Sequence, residues 1–71
     1  MVISEHLKNK EVPYILQFIN IKTGKVSEEF NFFTLDRTKD YYNHTKHLIK
    51  GTRPRYLYYN AETDEVKEIK E

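Results

Sequence analysis

A chain of 71 residues with 12 basic and 11 acidic side chains, a net charge of +1 and no cysteine makes one small domain with neither disulfides nor thiolate metal sites to brace it. The near-zero balance excludes a global field that would drive the chain onto DNA or an anionic membrane, and no apolar run is long enough for a bilayer span or a signal segment. A chain this short buries a smaller share of its surface than larger domains do, so it needs a compact core, a partner chain or both. Its aromatic content of 14% favours folding over disorder.

Residues 1–12 read as an N-terminal arm. Ser4 is placed to cap a short helix carrying Leu7, and Val2 with Ile3 offers a strand as the alternative. Residues 13–34 read as a hairpin, because Ile, Tyr and Phe crowd the stretch after Pro13 and a first strand residue need not donate to the ladder. Thr23 and Gly24 supply the turn. With Gly24 in the left-handed conformation of a type I turn plus bulge, Ile21 pairs with Lys25. That register puts Phe18, Leu16 and Tyr14 opposite Glu28, Phe30 and Phe32 on one face. It puts Ile15, Gln17 and Ile19 opposite Asn31, Glu29 and Ser27 on the other. The first set is the more apolar and is the expected core face.

Residues 35–50 read as a helix. Thr34 is its cap, Asp36 complements the positive first turn, Lys46, His47 and Lys50 complement the last, and Gly51 stops it. Leu35, Thr38, Tyr41, Tyr42, Thr45, Leu48 and Ile49 form one stripe at helical spacing, expected to pack on the sheet. Residues 53–70 read as a second hairpin that repeats the first. Asn20, Thr23, Val26 and Glu28 recur as Asn60, Thr63, Val66 and Glu68, with Asp64 in the place of Gly24. The same turn puts Leu57 opposite Ile69 and Tyr59 opposite Lys67, which makes Leu57, Tyr59 and Ile69 the expected core. Tyr56 and Tyr58 then fall on the displayed side, opposite Lys70 and Glu68.

The order ββαββ predicts an α+β fold, an antiparallel or mixed four-stranded sheet with one helix packed on a face. It resembles the β-grasp arrangement, in which strands one and four pair in parallel at the centre. Strand three is then an edge, where Pro54 does no harm. A split arrangement of the same elements and a dimer across a sheet edge are the competing topologies.

Filling the helix side leaves Ile15, Ile19, Phe33, Tyr56 and Tyr58 on the other face. Apolar surplus of this kind marks contact with another chain. The expected function is therefore a non-enzymatic protein-binding module. It would present a sheet face or edge to another protein or to a second copy of itself, with Tyr56, Tyr58 and Arg55 as anchors beside Ile15 and Ile19. Coverage of that face by Val2, Ile3 and Leu7 of the arm is the competing explanation. The wealth of Lys, Asn, Ile and Tyr fits an AT-rich bacterial or phage genome, and an accessory or inhibitory factor in the cytoplasm.

Two alternatives carry specific residues. A nucleic-acid binder would set Lys46, Lys50, Arg53 and Arg55 on phosphates and stack bases on Tyr56 and Tyr58, although Glu68 beside Tyr58 opposes this. A metal site would use Asp40, His44 and His47 on one helical face, with His6 joining only if the arm folds over. That face is expected to be exposed, where such spacing is ordinary surface pairing. No cofactor is implied. Two glycines build no phosphate loop, no serine has a nucleophile's setting, and Glu28 and Glu29 point to opposite faces of a strand, so no enzyme is expected.

Overall fold

The computed structural model describes residues 5–70. Val2, Ile3, Ser4 and the His6 side chain lie outside the described residues. A 3-10 turn, Glu5–Leu7, is followed by β1 (Tyr14–Asn20), β2 (Val26–Phe32), α1 (Leu35–Thr45), β3 (Thr52–Asn60) and β4 (Glu65–Ile69). The strands form one sheet in the order β2-β1-β3-β4 with every pairing antiparallel. Strands β2 and β3 therefore run in the same direction on either side of β1, and α1 connects them. This is the split arrangement. The β-grasp order differs, because β1 pairs with β3 and no parallel pair forms. Pro54 sits in an inner strand after all. Among the described residues the β3–β4 ladder runs from Tyr56 opposite Ile69 to Asn60 opposite Glu65, and Pro54 lies outside it.

The first hairpin keeps the expected pairs Tyr14 with Phe32, Leu16 with Phe30 and Phe18 with Glu28. Its turn is one residue longer than expected: the closing pair is Asn20 with Lys25 in place of Ile21 with Lys25, Asn20 N–H donates to Lys25 O at 2.8 Å, and Gly24 sits at φ 72°. A bulge absorbs the difference, for Ile19 pairs with Val26 and Ser27 is left over. The bulge exchanges a hydroxyl for an aliphatic neighbour beside Ile19, which is 1% exposed. The second hairpin has the same turn and no bulge, so the whole strand keeps the offset. Ile69 pairs with Tyr56, Lys67 with Tyr58, and Val66 with Tyr59.

Cross-strand pairs share a face, and that sorts the core. Leu16 and Phe18 are fully buried under α1. The Phe18 ring lies 6.1 Å from that of Tyr42, and Tyr41 meets Phe30 at 5.1 Å and Phe32 at 5.2 Å. Tyr56 lies under the same helix, 6.5 Å from Tyr42, and Tyr58 stands beside Tyr14 at 5.2 Å. Leu57 and Tyr59 face the other way. They join Ile15 and Leu7 in a second cluster with Val66 against it. The sheet is thus buried on both faces, by the helix on one and by the segment carrying Leu7 on the other. That corrects the expectation that Ile15 and Ile19 are displayed, since both are buried. Ile69, expected beside Leu57, belongs to the helix face.

Thr34 caps α1 as expected: its side chain accepts from Arg37 N at 3.1 Å, and Asp36 stands in the first turn. Thr38 is fully buried and returns its hydroxyl to Thr34 O at 2.9 Å. The helix ends at Thr45, short of the expected residue 50. The run Tyr41, Tyr42, Asn43, His44, Thr45 consists of weak helix formers. Beyond it, Leu48 N and Ile49 N both turn back to Thr45 O. Leu48 consequently leaves the expected core stripe and is 73% exposed. Gly51, at φ 76°, sits past that turn, where its carbonyl accepts from Ile21 N at 3.0 Å and ties the segment to the first hairpin.

Candidate functional site

The sheet has two edges, and they differ. Strand β4 has five residues, three of them charged; short charged strands protect an edge from stray pairing. Strand β2 has seven residues, two of them phenylalanine and two glutamate, with no basic residue. Apolar side chains stand exposed at both of its ends: Val26 and the turn residue Ile21 at one, Phe33 at the other, the last 68% exposed.

The two glutamates of β2 lie on opposite sides of the strand. Glu28, opposite Phe18, is on the helix side and exposed. Glu29, opposite Gln17, is on the second side and half-buried. Neither forms an ion pair among the described residues, where the pairs are Lys8 with Glu5 and Asp64, and Arg55 with Glu68. Glu29, Gln17 and Arg55 form one row across β2, β1 and β3. Within it, Glu29 Oε2, Gln17 Oε1 and Arg55 Nε are buried without a hydrogen-bond partner among the described residues. Arg55 Nε is 3.7 Å from Glu68 Oε1, too long for a hydrogen bond. Buried acceptors without donors are costly and uncommon, and Gln17 is 1% exposed.

The ends of the sheet carry opposite charge. The first hairpin turn, the segment after α1 and the start of β3 come together through the Ile21 to Gly51 hydrogen bond and the Asn20–Thr52 pair. This end holds Lys22, Lys25, Lys46, Lys50 and Arg53, and residues 20–27 and 44–53 contain no acid. A shallow cleft between the two segments is lined by Lys22 and Lys50. The opposite end holds Glu62, Asp64, Glu65 and the helix start with Asp36. There Tyr59 Oη donates to Asp64 Oδ1 at 2.8 Å. That bond, followed by burial, holds the Tyr59 phenol above its ordinary value near 10. Lys8, hydrogen-bonded to Glu5 at 3.1 Å, is likewise raised.

The expected anchors do not share one surface. Tyr56 and Tyr58 lie on the helix face, and Arg55, Ile15 and Ile19 lie on the other. Tyr58 is 37% exposed; Arg55 is half-buried, and Ile15 and Ile19 are buried. The nucleic-acid alternative keeps its cations, with Arg53 exposed and Lys46 and Lys50 at the basic end, and loses its stacking platform because both tyrosine rings already have ring neighbours. Asp40, His44 and His47 do not come together. The helix ends before His47, His44 Nδ1 lies 2.8 Å from Asp40 O, and no group of three metal-ligating side chains converges among the described residues. Among those residues no helix is long and apolar enough to cross a membrane.

The sequence places Phe33 on the displayed side, whereas Glu28 and Glu29 stand out there only as adjacent carboxylates and not as the charges of an open edge. The signal was their presence in a strand without a balancing cation, which suits an edge and not a sheet interior. No protein-family profile, curated protein or solved structure matches the chain.

Proposed function

We propose that this protein is a non-enzymatic binding module that takes up an extended segment of another protein along the open side of β2. The observation that carries the reading is the contrast between the two edges. Strand β4 is short and rich in charge, whereas β2 is longer and flanked by exposed Ile21, Val26 and Phe33. An added strand gains main-chain hydrogen bonds from such an edge and specificity from side chains at its ends. The bulge at Ser27 and the two glutamates limit indiscriminate pairing. The test is selection from a random peptide library against the whole chain, followed by mapping of backbone amide shifts. Selected peptides are expected to shift and protect amides of residues 26–32. Shifts confined to the helix exterior or to β4 contradict the reading.

The basic end favours a second reading, contact with a polyanion such as nucleic acid through Lys22, Lys46, Lys50 and Arg53. Cations near a helix C-terminus also answer its dipole, which accounts for part of the cluster without any ligand. Phosphate contacts make affinity fall steeply with salt. The reading expects oligonucleotide retention that Lys50→Glu with Arg53→Glu abolishes; unchanged retention removes it.

A further inference from the structure

We infer that the segment received by β2 is basic, with two successive Lys or Arg residues at the positions facing Glu28 and Glu29. This rests on the proposed function and names the chemistry of its partner. Strand β2 contributes two negative charges and no positive one, and its glutamates have no ion-pair partner among the described residues. Consecutive residues of an incoming strand point to opposite faces, as Glu28 and Glu29 do. Two adjacent cations therefore meet both carboxylates at once, one on each side of the extended sheet.

The second side adds an independent requirement. Glu29 Oε2 and Gln17 Oε1 are neighbours in one cross-strand row, both acceptors, both buried and both without a donor. Gln17 is almost wholly enclosed, so water does not reach it freely. Arg55 Nε, in the same row on β3, pairs with neither oxygen, so a cationic side chain entering beside Glu29 brings these acceptors the donors they lack. Arginine fits best there, because its planar fork of N–H groups serves two oxygens together.

The same charges disfavour a second copy as occupant. In an antiparallel β2–β2 pair related by a two-fold axis, any register centred on the strand brings glutamates of the two chains opposite or diagonal to each other. Like charges across strands repel, and nothing else on β2 offsets them. Partner chains with acidic edges are excluded on the same ground.

The experiment uses the library selection with the whole chain and reads the sequences of peptides that map to β2. Adjacent basic residues are expected to be enriched, and Glu28→Gln with Glu29→Gln should weaken those peptides about ten-fold. Charge reversal, Glu28→Lys with Glu29→Lys, should redirect selection to acidic peptides. Circular dichroism melts of each variant confirm that the fold is kept. Peptides that bind β2 with no basic preference, or with an unchanged preference in the reversed variant, overturn the inference while leaving the edge reading intact. Failure to recover any β2-binding peptide overturns both. A dimer joined through β2 in sedimentation and amide mapping also overturns it.

Discussion

The two hairpins are built on one turn and end in different registers. In each, an asparagine side chain gathers the loop. Asn20 Oδ1 accepts from Lys22 N at 2.9 Å and Thr23 N at 3.1 Å, and Asn60 Oδ1 accepts from Glu62 N at 3.0 Å. In each, a left-handed residue closes it, Gly24 at φ 72° and Asp64 at φ 57°. The first hairpin then inserts Ser27 and recovers the offset, and the second does not. Since a step of one residue moves every later side chain to the other face, this single residue decides which members of the repeated motif meet the helix. Glu28 falls on the helix face beside Phe18, and its counterpart Glu68 falls on the opposite face beside Leu57.

The largest effects come from cutting the core that each hairpin supplies. Phe18→Ala on the helix face should cost about 3–5 kcal/mol, and Leu57→Ala on the second face about 2–5 kcal/mol, both by urea unfolding. Comparable losses in a small domain of marginal stability leave little folded protein. A Leu57 variant with near-native stability contradicts the burial of the second face.

The closing residues come next. A Cβ on Gly24 meets nothing within 4 Å, so Gly24→Ala tests the backbone alone. It should cost about 1–2 kcal/mol, the penalty of a left-handed conformation. Asp64→Gly relieves the same strain and gives up the hydrogen bond from Tyr59, so it should change stability less than Gly24→Ala. An equal or larger loss means the two turns are not equivalent.

The raised Tyr59 and Lys8 groups give the acidic end of the sheet a pH signature. Each binds its proton more tightly when folded. Their contribution is fully present below about pH 10 and is lost as pH rises through the folded pKa values. Phenolate absorbance should show a late-titrating component that Asp64→Asn returns toward 10 and Tyr59→Phe removes. A titration curve that is the same with and without Tyr59→Phe above pH 10 rules this out.

Deleting Ser27 should have the smallest effect on stability, about 1 kcal/mol or less. The remaining residues alternate correctly, with Val26 beside Ile19 and Glu28 beside Phe18. The edge becomes flatter, and peptide affinity should rise. A collapse of stability instead shows that the bulge organises the turn.

Much of this architecture is legible in the residues. The repeated Asn, Thr, Val and Glu spacing gives the place of the turns, Thr34 gives the helix start, and the pairs from Tyr14 to Phe18 follow from the expected turn because the bulge at Ser27 cancels its one-residue error. The helix end is not, because charge at residues 46–50 imitates a last turn while Tyr41 to Thr45 have little propensity to continue. Strand order is hidden too, since Pro54 reads as an edge residue although β3 lies between β1 and β4. The sorting of Tyr56 against Leu57 fails for a deeper reason. A sheet covered on both faces gives its inner strands apolar residues at every position, so alternation no longer says which side is inward. The expected anchors lie on these two inner strands, Ile15 and Ile19 on β1 and Arg55, Tyr56 and Tyr58 on β3, whereas the proposed surface rests on β2.

The most direct test is to measure intermolecular backbone contacts by nuclear Overhauser effects between the chain and a bound peptide from the selection. A ladder of contacts running along residues 26–32 of β2, with peptide cations beside Glu28 and Glu29, is the predicted result. Contacts running along β4, or scattered over the exposed side of α1, contradict it.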